Sequence, residues 1–265
     1  MKLFKRLILI LLPVLLLLAG TGLLWLVYGE DVSNPFNYKK VSDITTPRGY
    51  ERIVGGNPAF AAFLRSLPLK ERGTKTQLYT GGVADRQPLN YAVIDLPLIS
   101  DAEQCADVCM RLRSEYLFKA GIFDSIRFSD VDNGVQQYDG GDSRASFKQF
   151  MCHVYEVSNT FSLSRELERR PLAEIQPGDV FVYAAADRTD GQRYGHAVMV
   201  IDVARNPKTG KKCFLLAEGN TPARNMHVVR NLNDRFNSPW FMLDEKADTL
   251  RLSCFFYYAH ELKHF

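Results

Sequence analysis

At 265 residues, with 46% hydrophobic and 24% charged side chains, the chain has the makings of one globular domain with a sizeable core. Its formal charge of +3 sits in Lys2, Lys5 and Arg6, because no acidic residue precedes Glu30. Residues 29–265 therefore balance 30 basic against 30 acidic side chains, which excludes a nucleic-acid surface built on net charge.

From Leu7 to Tyr28 the chain carries no charge and is dense in leucine. As a helix this run would be roughly 33 Å long, enough for a hydrocarbon core of about 30 Å. The expectation is an uncleaved transmembrane anchor; the alternative is a secretory signal cut near Ala19–Gly22, after which apolar residues resume. The basic flank stays cytoplasmic, which sends the body out of the cytoplasm. The expected localisation is inner-membrane anchored with a periplasmic or extracytoplasmic domain, or secreted after cleavage. Residues 29–47 are polar, with Pro35 and Pro47, and read as a tether. Residues 48–265 read as a single domain.

Within that domain, Pro58–Ser66 has helical apolar spacing, with Asn57 as N-cap and proline at the first helical position. Tyr91–Leu96 reads as a buried strand. Ser100–Ala120 reads as the strongest helix: Ser100 with Glu103 forms a capping-box pattern and Gly121 ends it. Its inward stripe is Cys105, Val108, Cys109, Leu112 and Tyr116. Cys105 has two readings, a small core hydrophobe or a nucleophile near a helix N-terminus. Cys109 lies a full turn deeper. Ser125–Phe128 reads as a strand, Ser146–Val157 as a helix, and a short helix capped by Ser162 or Ser164 runs to Arg169.

The densest strand signal follows. Asp179–Tyr183, His196–Val203 and Cys213–Ala217 are rich in Val, Ile and aromatics and are separated by Pro/Gly turn signals. His196 opens a hydrophobic strand directly after Gly195. Facing residues of an antiparallel pair have a constant sum of positions. If Ala204 and Gly210 close a five-residue loop, His196 falls opposite Glu218, a carboxylate that can orient an imidazole for proton transfer. The other reading is a strand-end histidine with an exposed partner. Asn225–Val229, carrying His227, and Leu250–Tyr258 read as further strands. The five cysteines (Cys105, Cys109, Cys152, Cys213, Cys254) are odd in number and scattered. Neither a disulfide framework nor zinc-ligand spacing emerges, so no metal and no cofactor are expected.

The order of these pieces resembles the papain-like cell-wall hydrolases of the NlpC type. The matching segments are Gln104-Cys105-Ala106-Asp107, Pro177-Gly178-Asp179-Val180, Gly195-His196-Ala197-Val198 and Glu218. More specifically, Gln104–Tyr116, Gly195–Val198, Ala217-Glu218 and Ser238-Pro239-Trp240 are similar to a family of bacterial envelope proteins known as domain of unknown function 4846. The likeness to that family spans nearly the whole body.

The resemblance implies an α+β, papain-like (NlpC-type) fold, an antiparallel sheet packed on a cysteine-bearing helix, behind the transmembrane helix. It implies a cysteine hydrolase in which Cys105 attacks an amide carbonyl, His196 shuttles the proton and Glu218 orients the ring. Gln104 or the Cys105 amide would stabilise the oxyanion. The implied substrate is an envelope amide such as a peptidoglycan stem peptide. The alternative is an inactive papain-like module that binds wall peptides or a protein partner.

Overall fold

The computed structural model describes residues 11–22 and 38–265. The chain divides into two compact units, Met1–Asn37 and Tyr38–Phe265. In the first, residues 11–22 are helical, and the ends of the expected membrane span, residues 7–10 and 23–28, lie outside the described residues. A helix over residues 11–22 is about 18 Å long, against about 30 Å of hydrocarbon. Among the described residues no helix is long and apolar enough to cross a membrane. The expected transmembrane helix is corrected to what the described residues hold, a helical segment over 11–22 that is too short by itself to span.

The second unit begins inside the stretch read as a tether. A 3-10 turn at Val41–Asp43 places Val41 and Ile44 wholly in the core. The helices of this unit are α1 (Pro58–Arg65), α2 (Cys105–Lys119), α3 (Arg144–Val157) and α4 (Thr160–Glu166). As its sequence predicts, α1 is capped by Asn57, whose Oδ1 accepts from Phe60 N at 3.0 Å. The strands in chain order are β1 (Glu51–Arg52), β2 (Asn90–Val93), β3 (Arg127–Ser129), β4 (Val135–Gln137) and β5 (Glu168–Arg169). They continue with β6 (Val180–Tyr183), β7 (His196–Arg205), β8 (Lys212–Glu218) and β9 (His227–Val229). The last are β10 (Phe241–Met242), β11 (Thr249–Leu252), β12 (Phe255–Tyr258) and β13 (Leu262–His264).

Nine of these strands form one sheet in the order β2-β9-β8-β7-β6-β13-β5, with β1 against β7 and β10 against β8. The ladders are antiparallel. Both faces are covered. On one, Ala197, Met199, Ile201, Leu215, Ala217 and Val228 meet Val108, Cys109 and Leu112 of α2. On the other, Val198, Val200, Phe214, Leu216 and Val229 meet Leu250, Leu252 and Tyr257 of the β11–β12 hairpin. Double coverage explains why the central strands read as unbroken apolar runs rather than alternating ones.

The α+β class and the antiparallel sheet against a cysteine-bearing helix are present. The papain-like fold expected from the short motifs is not: the structure is a mixed body on a nine-stranded sheet with one helical and one hairpin face. Motifs of four residues set where a helix or a strand begins, and the order of nine strands is decided elsewhere. The expected strand Leu250–Tyr258 is likewise a hairpin, turning at Ser253, whose φ is 57°. Ser253 alone marks that break, without the Gly, Pro, Asn or Asp that signal a turn more strongly.

The β7–β8 register differs from the expected one in a way that matters for the site. Arg205 pairs with Lys212, not Ala204 with Gly210. Had that ladder run on unbroken, Glu218 would face Met199 and point to the opposite side of the sheet from His196. A bulge at Ile201, between the Val200–Leu216 and Asp202–Leu215 pairs, moves the register by one. Met199 then faces Ala217, so Glu218 falls level with Val198, on the same face as His196 and diagonal to it.

Asp202, the residue after the bulge, is fully buried. Its carboxylate accepts from Arg52 Nε at 2.6 Å and Arg65 Nε at 2.7 Å, tying β1 and α1 to the bulge. Removing one side of a buried ion pair strands the other without compensation. Asp202→Ala should lower stability by about 3–5 kcal/mol, read as a drop in the urea midpoint with little change in slope.

Candidate functional site

The site forms where the cysteine helix meets three strand ends. The Ser100–Glu103 segment does not open the helix, as the capping pattern suggests. Ser100 Oγ accepts from Ala102 N at 3.1 Å and Glu103 Oε2 from Ile99 N at 3.0 Å, closing a turn ahead of it. Glu103 is also held by Arg111, at 3.2 Å, in the protein interior. The cap is instead Gln104, whose backbone N–H donates to Asp107 Oδ2 at 2.8 Å. Cys105 is thus the first helical residue, not the fifth. Its own amide has no acceptor within the helix, and the first turn carries partial positive charge that attracts anions.

Two glycines let the pieces close. A β-carbon on Gly219, just past β8, would lie 2.6 Å from Val108 Cγ2 and 3.1 Å from Gln104 O, so only glycine lets β8 end against the start of α2. A β-carbon on Gly195 would overlap Thr160 Oγ1 and come within 2.7 Å of Tyr183 O. That residue must be glycine for His196 to start its strand beneath α4.

His196 Nε2 lies 3.2 Å from Glu218 Oε2, and both side chains are buried. The ring stacks on Phe255 of the hairpin, 3.8 Å between centroids. Burial disfavours its charged form. The Cys105 sulfur beside it, as a negative charge and a hydrogen-bond partner, and then Glu218, outweigh that and raise the His196 pKa to about 9. With Nε2 taken by the carboxylate, Nδ1 is the ring atom left for the thiol. Burial would push Glu218 up; His196 and then His227, each held against the carboxylate, overcome it and bring its pKa down to about 2.

The structure therefore gathers Cys105, His196 and Glu218. Gln104 stands next to them, but its side-chain Oε1 accepts from Thr221 Oγ1 at 2.6 Å, so that side chain is held toward the loop after β8. That leaves the Cys105 amide, without an acceptor inside the helix, as the group of the two not engaged by a side-chain hydrogen bond. Cys109 is fully buried in the core with its thiol pushed well above the ordinary value, chiefly by burial. Cys152, Cys213 and Cys254 are likewise unpaired. Among the described residues no group of His, Cys, Asp or Glu is arranged to hold a metal ion.

Sequence reasoning missed one member. His227 pairs directly with Glu218 across β8–β9, with its Nε2 3.3 Å from Glu218 Oε1. That contact is within ion-pair range but out of line for a hydrogen bond, and neither atom has another partner. Its signal was present: a histidine opening an apolar strand, the same pattern that singled out His196. Tyr257 also closes on the site with a buried, unpartnered hydroxyl, held neutral by burial and by the charges of Tyr183, Glu218 and Cys105.

Comparison with known proteins agrees with the motif reading at the family level. The family described as a domain of unknown function (4846) matches over residues 41–140 and 133–264. The chain belongs to this family. No curated protein and no solved structure matches it, and the likeness to NlpC-type hydrolases is not shown.

The site pair sets a pH dependence. His196 has a folded pKa above its unfolded value, so the stability it lends is full below about pH 6.5 and is lost as pH rises through about 9. Glu218 works on the acid side, contributing above its ordinary 4.5 and losing that contribution as pH falls toward about 2. Thermal melts of the wild type should decline between pH 6.5 and 9. Glu218→Gln and Cys105→Ser should each flatten that decline, because each removes a group that favours the imidazolium.

Proposed function

We propose that the chain is a cysteine hydrolase of amide bonds, with Cys105 as nucleophile, His196 as general acid and base, and Glu218 as the group that orients the ring. The observation that carries this reading is the placement of Cys105 at the first position of a helix, beside an imidazole whose far nitrogen is engaged by a buried carboxylate. Such a set makes a thiol nucleophilic at neutral pH and returns the proton where it is needed.

With its proton passed to His196, the Cys105 sulfur attacks the carbonyl carbon, and the oxyanion turns toward the Cys105 amide at the helix start. His196 gives its proton to the departing amine as the tetrahedral adduct collapses to a thioester. The neutral ring then takes a proton from water, the hydroxide attacks the thioester, and the acid leaves as the proton returns to sulfur. The substrate class we favour is a peptide amide, most simply a peptidoglycan stem peptide, met by an exported body. That choice rests on the motif order and on the basic, apolar start of the chain.

A second reading draws on the burial of the site. Cys105 is 8% exposed and His196 4%, beneath the Phe255 hairpin. A carbonyl reaches the sulfur only if that cover yields. A cleft that holds a wall peptide or protein partner without turnover fits the closed arrangement as well.

Activity of the full-length chain on muropeptides and on a panel of peptide amides and esters separates the two. Hydrolysis by the wild type that falls by about 10³-fold or more in Cys105→Ala and Cys105→Ser, in line with loss of a nucleophile, supports the enzyme. Saturable muropeptide binding retained in Cys105→Ala, with no turnover by the wild type, supports the binding module and removes the hydrolase.

A further inference from the structure

Glu218 has two imidazoles on it, and the hydrolase mechanism uses only one. A carboxylate held through a single oxygen can still turn about its terminal bond, and Glu218 is shut away from water that would otherwise hold the second oxygen. That second oxygen, Oε1, faces His227 Nε2 at 3.3 Å. The other nitrogen of His227 lies 3.4 Å from the Asn225 carbonyl oxygen. Both ring nitrogens thus face oxygen atoms, one a backbone carbonyl and one the carboxylate. Its place comes from backbone pairing: β9 sets His227 directly opposite Glu218, while the bulge in β7 brings His196 in on the diagonal.

Among the described residues, the other groups around the site offer no substitute. From α2 come Cys105 and Cys109, from β6 Tyr183, and from the β11–β12 hairpin Cys254 and Tyr257. These are thiols and phenols, none of them cationic. The two imidazoles are the groups that hold the Glu218 charge.

We propose that His227 is a positioning residue for the nucleophile, its ring fixing the rotation of Glu218 so that Oε2 stays on His196 Nε2 and Nδ1 stays turned to the Cys105 sulfur. The inference rests on the hydrolase reading and extends it from three residues to four on α2, β7, β8 and β9. His227 touches neither substrate nor sulfur in this role; it acts through the carboxylate, as an outer partner orients a ligating or catalytic side chain.

The test is the rate at which iodoacetamide alkylates Cys105 in the full-length chain, resolved by mass spectrometry and followed from pH 5 to 10. It needs no substrate. The variants are His227→Gln, whose amide still donates to Glu218, and His227→Leu, which fills the space and donates nothing. The expected result is a wild-type Cys105 that reacts faster than the other four thiols near neutral pH. His227→Gln should stay within about threefold of it, and His227→Leu should fall by about tenfold or more with its profile moved toward alkaline pH, the loss of one polar contact to a buried charge. Should His227→Leu not fold, His227→Asn, too short to reach the carboxylate, takes its place. A leucine variant with the wild-type profile, or a glutamine variant as impaired as the leucine one, overturns the role of His227 and leaves the hydrolase reading intact. A wild-type Cys105 no more reactive than the other thiols overturns both.

Discussion

A carboxylate removed from water has to be compensated where it stands, and Glu218 is the charge around which this site is built. It is buried and is held well below the ordinary carboxylate range by two imidazoles, with burial pushing the other way. The imidazoles come from different strands, so the ionised carboxylate is stable only when β7, β8 and β9 finish at the same level. The thiol of Cys105 then sits beside the outer ring. Position, charge and candidate chemistry depend on one another at this point.

The backbone reaches that arrangement by a few local devices. A bulge at Ile201 shifts the ladder by one residue, which returns Glu218 to the face that His196 occupies. Gly219 lets the end of β8 press against the start of α2, and Gly195 lets β7 begin under α4. Asp107, reaching back to the Gln104 amide, starts the helix at Cys105 rather than a turn earlier. Each device costs little in a general sense and each has a neighbour that would be displaced if it changed.

Two buried carboxylates sit at different levels of the β7–β8 hairpin and are compensated differently. Asp202 lies between two guanidinium groups, which keep their charge at any pH the protein meets. Glu218 lies between two imidazoles, of which that of His196 has its pKa raised to about 9 by its neighbours. The first arrangement suits a permanent joint between sheet, β1 and α1. The second sets a buried carboxylate against His196, and it makes that end of the sheet sensitive to pH.

Much of this was legible before any coordinates. Helices α1 and α3, the strands of the central hairpin, the Asn57 cap and the three residues Cys105, His196 and Glu218 follow from apolar period, turn residues and a polar group in an apolar run. The helix expected to be capped by Ser162 or Ser164 and to reach Arg169 is instead capped by Asn159 and stops at Glu166, with Glu168–Arg169 in β5. Family membership followed from longer motifs. The helix start was misplaced because Ser100 and Glu103 fit a capping pattern as well as Gln104 and Asp107 do. The choice fell to Arg111, a long-range partner that draws Glu103 inward. The hairpin at Ser253 reads as one strand because serine signals a turn only weakly when no Gly, Pro, Asn or Asp stands beside it.

What the sequence determined by itself is local: which segments are helical or extended, which face of each is apolar, and which reactive side chains stand at segment ends. Tertiary structure alone decided the register of β7 on β8, the order of the nine strands and the presence of His227 on Glu218. Each of these is a contact between segments far apart in the chain, set by how whole faces fit together. A bulge of one residue, invisible in composition, is enough to decide on which side of a sheet a carboxylate lies.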